Sequence, residues 1–598
     1  MEIDNQYLES YGDYEEHKEF SQISSKSIGG KTLQEWFEYD GISYWWFVFP
    51  SIYPKFNDGV LFVERLQSFL EKNKIKKIKL FGNYHRLYLI KEICKNNNIQ
   101  LELSKNYFLF KTRVFFKKLY RPIAFKKITE KKTKKRLECY KNHTKKLLVK
   151  EKSVIVTSPG IYRRYMSDYK SGKTKKQEFV LQPTLDLLHK NQIPTICFDL
   201  DYTFRGETES LEERLKDHHV WMPIEILLKT PKSDRTKKIL ESLRQSFYKL
   251  KEQNLEKIFQ YHDVSLWDFI KPKFEEVFLE PYLPMYVHLL EQIEEFLKNN
   301  SPTSVIQIYE TGPYAKCFQL PAQKLGIKTV GLQHGIIYDG NPDYNQQIIK
   351  NEENPLGNQL PDLTLVYGKY YQRILTEKCN YPISSVETMG NPSFYNIDKL
   401  KPELSKEQIL KKYYLENKKI ILFPHSFRYS QKSSNNSDDI ILDTLIKNMK
   451  HLNDVVIIVR PHPGDYDAIY SKLNQYNALH NFLVSKGSLF EDIVASDLII
   501  TTISSVGIDA TIFEKPIFLI DIAGMTYDSL GGIHRDMTES DVAKIVSIKN
   551  LINMIMTIEK NQVWKTSDSE KRKKFVSDYF NYDKEVNLLN LIYNEKKL

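Results

Sequence analysis

At 598 residues the chain is too long for one domain, and 41% hydrophobic against 27% charged residues describes a globular protein with an ample core rather than a disordered or fibrous one. Five scattered cysteines with no CxxC pair argue against a disulfide framework or zinc site, and no apolar run reaches the roughly 18 residues a membrane span needs. The net charge of +11 is concentrated: residues 111–152 carry 17 Lys and Arg against 3 Glu, so the rest of the chain is near neutral.

The acidic N-terminus, with no apolar core, does not read as a signal peptide, and a reducing cytoplasm is expected. Residues 1–30 are polar and are expected to be poorly ordered. Trp36 to Tyr53 is dense in aromatics and reads as a core strand and its flank. The alternative, a sugar or lipid contact through Trp45 and Trp46, is weaker. Helical spacing over Val60–Lys72, then a strand at Lys77–Phe81, a helix at Leu87–Asn96 and a strand at Ile99–Leu103 suggest a small α/β unit.

The basic stretch follows, with Val114, Phe115, Phe116, Leu119 and Tyr120 among its cations. It reads either as a solvated linker or as an amphipathic helix on an anionic membrane. Nucleic acid is the weakest reading, because no nucleic-acid module is recognisable.

From Val154 the pattern becomes strand–helix–strand. Apolar runs at Val154–Thr157 (with Arg163 and Arg164 soon after), Thr195–Phe198, Val305–Tyr309, Thr329–Leu332 and Leu363–Tyr367 are separated by helical segments. That alternation predicts a largely parallel sheet. Met389-Gly390-Asn391-Pro392 breaks the pattern, and the domain junction is placed near 396. A second α/β domain starts at Ile420–Phe423. In it VVIIV runs into Arg460-Pro461-His462-Pro463, SDLIITTI runs into Ser504-Ser505-Val506-Gly507, and KPIFLI follows. The expected units are thus 1–150, an N-terminal α/β region; 151–396 and 397–575, two Rossmann-like domains; and 576–598, a helical tail.

Ligands of parallel sheets sit at the carboxyl ends of strands, and these polar loops fall there. Arg460 and His462 suit a phosphate, His462 being clamped between two prolines. Ser504 and Ser505 open a helix, where one hydroxyl can act as an ordinary N-cap and the free N–H groups suit an anion. Gly507 would allow close ligand approach. Glu310 and His334 end successive strands and are the candidates for a general base toward an acceptor hydroxyl, His334 having the better pKa and Glu310 needing burial. Gly335 beside His334 suggests a tight turn or close approach; Asp339 and Asp343 are weaker candidates.

These motifs, taken with Gln333-His334-Gly335 and Met389–Pro392, resemble the GT-B glycosyltransferase superfamily over roughly residues 300–525. The likeness is to its surface-polysaccharide members: capsular sialyl- and Kdo-transferases with HP and SS motifs, and CDP-glycerol glycerophosphotransferases with HG and RxHP motifs. The resemblance implies two facing Rossmann-like domains, a nucleotide-activated donor held by the second, no cofactor and no required metal. It places His462 and the Ser504-Ser505 pair on the donor phosphate and His334 on the acceptor side; Arg460, Val506 and Gly507, in the same loops, complete the expected donor-phosphate and nucleotide site. The HG pair is followed here by Ile-Ile-Tyr rather than Thr-Pro, and Glu310-Thr311-Gly312 matches the sialyltransferase acceptor motif only loosely. The function expected is transfer of a sugar from a nucleotide donor to a surface glycan or lipid-linked acceptor. The alternatives are polyol-phosphate transfer or UDP-N-acetylglucosamine 2-epimerisation on the same fold, and a non-catalytic glycan- or membrane-binding protein.

Overall fold

A computed structural model of the chain describes residues 23–81, 84–141, 152–201, 206–338, 341, 343–345, 348–425, 437–449, 454–461, 466–476, 478, 480–485, 487–502, 504–521, 529–559, 570–580 and 588–593. The N-terminal region is organised by a long helix, α1 (Trp45–Asn73). The aromatic stretch expected as a strand is therefore the start of this helix. Trp45 through Phe49 are all buried, and a helix apolar all round shows no periodicity in sequence. Both indoles are structural: Trp45 Nε1 donates to Ser24 Oγ at 2.9 Å and Trp46 Nε1 to the Leu356 carbonyl at 2.8 Å. The small unit that follows is as read, with β1 (Lys77–Leu80) and β2 (Gln100–Leu103) paired in parallel around α2 (Leu87–Asn96). Helix α3 (Tyr107–Lys141) then carries the basic segment.

The first domain holds seven parallel strands. In chain order these are β3 (Val154–Pro159), then, after an antiparallel ribbon of β4 (Arg163–Ser167) and β5 (Thr174–Glu178), β6 (Thr195–Leu200), helix α4 (Glu209–Leu215), β7 (Val220–Pro223), β8 (Ser304–Ile308), helix α5 (Pro313–Lys324), β9 (Lys328–Leu332), β10 (Leu363–Val366) and β11 (Val386–Thr388). Their order across the sheet is β11-β10-β9-β8-β3-β6-β7, so the winding reverses between β3 and β8. The β3, β6 and β8 side chains are buried on both faces, which is why these strands read as continuous apolar runs.

The second domain has six parallel strands: β12 (Lys419–His425), β13 (Val455–Pro461), β14 (Phe482–Val484), helix α6 (Leu489–Ala495), β15 (Leu498–Thr501), helix α7 (Ser505–Thr511), β16 (Ile517–Asp521) and β17 (Lys544–Ser547). The order β14-β13-β12-β15-β16-β17 reverses between β12 and β15.

The chain then returns to the first domain. Helix α8 (Glu570–Phe580) stacks Tyr579 on Tyr370 at 4.2 Å and accepts from the Asn391 amide at the Phe580 carbonyl, 3.1 Å. Helix α9 (Leu588–Ile592) accepts from Ser304 Oγ and Lys328 Nζ at its last carbonyls. The boundary expected at 575 thus falls inside a helix, and the tail caps the first sheet. A sequence reads contiguous domains most easily, and this crossover is decided by which apolar surface remains open.

All five cysteines are free. Among the described residues no helix is long and apolar enough to cross a membrane, and no group of three or more His, Cys, Asp or Glu is placed to hold a metal ion.

Candidate active site

A cavity of about 250 Å³ opens between the carboxyl edges of the two sheets, at the reversal point of the second. His334, Arg460, Ser504, Ser505 and Val506 all line it. Residues 170 positions apart in sequence are brought together because each follows a parallel strand, and parallel strands end on the same edge.

His334 sits just beyond β9. Gln333 holds its loop, accepting from the Tyr367 amide (2.7 Å) and donating to the Gly335 carbonyl (2.7 Å). The imidazole packs against the rings of Tyr309 (5.1 Å) and Tyr162 (5.7 Å), and its Nδ1 is buried with no hydrogen-bond partner among the described residues. Burial, reinforced by the positive charge of Arg164, pushes its pKa down to about 4. The ring is therefore neutral at pH 7, in the form that can accept a proton. A Cβ on Gly335 would meet no atom within 4 Å, so that side of the loop opens on the cavity.

Glu310 is not part of this arrangement. Tyr309 adopts a left-handed φ of +65°, and the kink sends its ring toward His334 and the Glu310 side chain the other way. The Glu310 Cγ lies 2.5 Å from where a Cβ on Gly331 would stand, so only glycine fits in β9 there. Burial pushes this carboxyl up to about 8, with Asp343 adding to the shift. It is neutral at pH 7 and buried away from the cavity, which corrects its assignment as an alternative base. Asp343 is half-buried, near Lys316, and desolvation raises it to about 6. Asp339 lies outside the described residues.

On the opposite wall, Arg460 ends β13. Its Nη1 donates to Asp492 at 2.6 Å and to the Gly487 carbonyl at 3.0 Å, so its charge is already matched. Ser504 is the N-cap of α7, its Oγ accepting from the Val506 amide at 3.3 Å, and the exposed Ser505 is the hydroxyl left for a ligand. Gly507 needs correction. It is buried, and an added Cβ would meet Thr501 Cγ2 at 2.9 Å, so its smallness serves helix–strand packing rather than ligand approach. His462 lies outside the described residues. Lys515, set aside in the sequence as non-catalytic, donates to the carbonyls of Val494 and Ser496.

Three groups on the cavity wall carried no assignment from the sequence. Asp509 stands four residues after Ser505, one helical turn along the same face, which is the spacing that would have found it. Burial alone raises its carboxyl to about 7. His425, at the end of β12, faces Asp439 at 3.5 Å. Arg164 comes from β4, a ribbon that the strand–helix pattern did not reveal.

Two parallel sheets that face one another across a cavity form the two-domain Rossmann-like arrangement expected of the GT-B fold. Residues 316–591, just under half of the chain, match the family model described as CDP-Glycerol:Poly(glycerophosphate) glycerophosphotransferase. That segment contains His334, Arg460, the Ser504–Gly507 loop and Asp509, and leaves out Glu310 and Arg164. Among solved structures the chain is similar to the UDP-GlcNAc 2-epimerase from Neisseria meningitidis, at 12% identity over 72% of this chain and 95% of that one, with a TM-score of 0.40. It is similar to the wall teichoic acid polymerase TagF, at 13% identity over 80% and 94%, with a TM-score of 0.39. It is also similar to a glycosyltransferase from Rickettsia africae, at 12% identity over 74% and 99%, with a TM-score of 0.41. No curated protein matches the chain.

Proposed function

We propose that the chain transfers a group from a nucleotide-activated donor to a hydroxyl of a growing cell-envelope polymer. The observation that carries this reading is the convergence of a neutral His334 from the first domain with Arg460 and Ser505 from the second on one cavity. The match of residues 316–591 favours a CDP-linked polyol phosphate as donor. In that reaction His334 takes the proton of the acceptor hydroxyl, the oxygen bonds to the phosphorus of the polyol phosphate, and the bond to the nucleotide breaks, releasing CMP. Transfer from a sugar nucleotide is the second reading. There the same hydroxyl attacks the anomeric carbon and a nucleotide leaves with its phosphates.

The positive groups built into the cavity make a metal dispensable in this scheme. A thermal-shift panel of CDP, CMP, UDP, GDP and ADP, with and without EDTA, tests the reading. A ligand bound only by the native state raises the melting temperature by mass action. The expected result is a selective rise with the cytidine nucleotides, unchanged by EDTA, together with CMP release from CDP-glycerol only when acceptor is present. A uridine-selective rise moves the assignment to sugar transfer, or to epimerisation if turnover needs no acceptor. No rise with any nucleotide sinks the transferase reading in favour of a non-catalytic protein.

The acceptor is expected at a membrane surface, with α3 as the contact. Phe108, Phe115, Leu119, Tyr120 and Ile123 are each at least 58% exposed among the lysines and arginines of this helix. Apolar side chains beside cations suit the interface of an anionic bilayer, and a cytoplasmic protein so anchored accords with five free cysteines. The protein is expected to co-sediment with phosphatidylglycerol vesicles more than with phosphatidylcholine ones, less so at high salt. Replacing Phe115 and Leu119 together by glutamate should weaken binding by at least about tenfold, from the lost apolar burial. Equal recovery with both lipids, or no effect of the double replacement, would return α3 to the role of a solvated linker.

A further inference from the structure

Arg164 is the cation of the cavity that no motif explains. It lies in β4, outside the segment that matches the transferase family. The neighbouring Arg163 is consumed locally, pairing with Glu213 at 3.1 Å and Glu178 at 3.3 Å. Arg164, on the other face of the ribbon, turns into the cavity with its Cζ 3.8 Å from the Phe179 ring centroid. Among the described residues its guanidinium has no hydrogen bond and no carboxylate. Arg460 across the cleft is already held by Asp492 and Gly487. The two arginines therefore differ: one is neutralised, while the other keeps a half-buried charge unmatched. Such a charge is costly to hold unless an anion completes it. Burial pushes Arg164 down to about 10, and Arg460 adds to that push, so it is still cationic at pH 7.

The ribbon that carries Arg164 is fastened to the second domain at its tip. The hydroxyls of Ser167 and Ser488 lie 2.7 Å apart, Ser488 Oγ donates to the Gly172 carbonyl at 2.7 Å, and the Phe490 amide donates to Ser167 Oγ at 3.2 Å. The same stretch of the second domain, Gly487 to Asp492, holds Arg460. One segment thus sets the positions of two arginines that belong to different domains.

We propose that Arg164 binds the distal phosphate of the donor, the one adjoining the bond that breaks, and that the Ser167–Ser488 contact registers it against Arg460 across the cleft. The assignment to the distal phosphate follows from His334. A base and the centre its nucleophile attacks lie one acceptor hydroxyl apart, so the unmatched cation beside His334 faces the reacting end of the donor. The proposal rests on the reading of this cavity as a nucleotide-donor site. Arg164 is a binding residue, and Ser488 is a positioning residue that acts through it.

Calorimetric titration of the full chain with CDP and with CMP, repeated with UDP and UMP, tests it. Arg164→Ala should weaken the nucleoside diphosphate by roughly tenfold to a hundredfold, the worth of a charge-assisted hydrogen bond, and leave the monophosphate within about threefold of wild type, the spread expected of an uninvolved contact. Arg164→Lys should recover part of the loss, since it keeps the charge without the fork. Ser488→Ala should show the same diphosphate-selective loss in smaller degree, with the diphosphate affinity dropping while monophosphate binding stays as in wild type, which a merely structural defect would not give. Equal diphosphate binding by Arg164→Ala and wild type overturns the proposal, as does an equal loss for mono- and diphosphate. Both results leave the donor-site reading standing, whereas a wild-type protein that binds no nucleotide overturns both.

Discussion

Replacing His334 by alanine is expected to slow transfer by about two to four orders of magnitude, the range for loss of a general base, while nucleotide-induced thermal stabilisation stays as in wild type. The separation follows from the proposed roles: His334 faces the acceptor hydroxyl, whereas the groups proposed for the donor are Arg460 and Ser505 of the second domain and Arg164 of the β4–β5 ribbon. The pH profile is the sharper readout. With the imidazole held down to about 4, by burial first and by Arg164 second, the acid limb of kcat/KM should fall near pH 4 rather than near the ordinary histidine value of about 6.5. The active neutral form persists above that pH and is lost as pH falls through it. Arg164→Ala removes one of the two causes and should move this limb upward. A His334→Ala protein with wild-type turnover, or an acid limb the variant leaves in place, would remove His334 from the mechanism.

The largest expected effect on stability is elsewhere, in an ionic cluster beneath the carboxyl edge of the first sheet. Arg214 of α4 is fully buried and reaches Glu178 and Asp199, each at 2.5 Å, as well as Ser158 Oγ and the carbonyls of Ser158 and Pro159. Arg136 of α3 meets the other oxygen of Asp199 at 2.5 Å and Glu225 at 2.7 Å. Burial works to raise the Asp199 pKa, but the two guanidiniums outweigh it and hold the carboxyl below its usual range. Removing one partner of such a set strands the rest. Arg214→Ala leaves Glu178 and Asp199 without their main counter-charge and should cost about 3–5 kcal/mol. Arg214→Lys keeps the charge without the planar fork and should lie between. Urea unfolding followed at the first-domain transition measures both, and an unchanged midpoint for the alanine variant would show that the network contributes nothing. The same cluster ties the foot of α3 to the sheet, so the helix expected at the membrane is anchored to the domain that holds His334.

The comparison of sequence with structure separates by the range of the interaction. The strands β3, β8, β9, β12 and β13 were legible because a parallel strand buried on both faces is a short apolar run that ends in polar residues, a property of a few adjacent positions. His334, Arg460, Ser504 and Ser505 were legible for the same reason: each follows such a run. Where a segment is apolar throughout, as in Trp45–Phe49, the helical period vanishes and the strand reading fails.

By itself the sequence determined two parallel α/β domains, the strand ends that carry polar loops and the concentration of positive charge in α3, since each is written in neighbouring residues. Tertiary structure alone decided the rest. The kink at Tyr309 sends Glu310 away from the cavity, Thr501 occupies the space beside Gly507, and α8 and α9 return to cover the first sheet. Arg163 and Arg164 are adjacent and chemically identical, yet one is matched by Glu213 and Glu178 while the other faces the cavity. What a charged side chain does depends on the partners that packing brings to it, and those partners lie tens to hundreds of residues away.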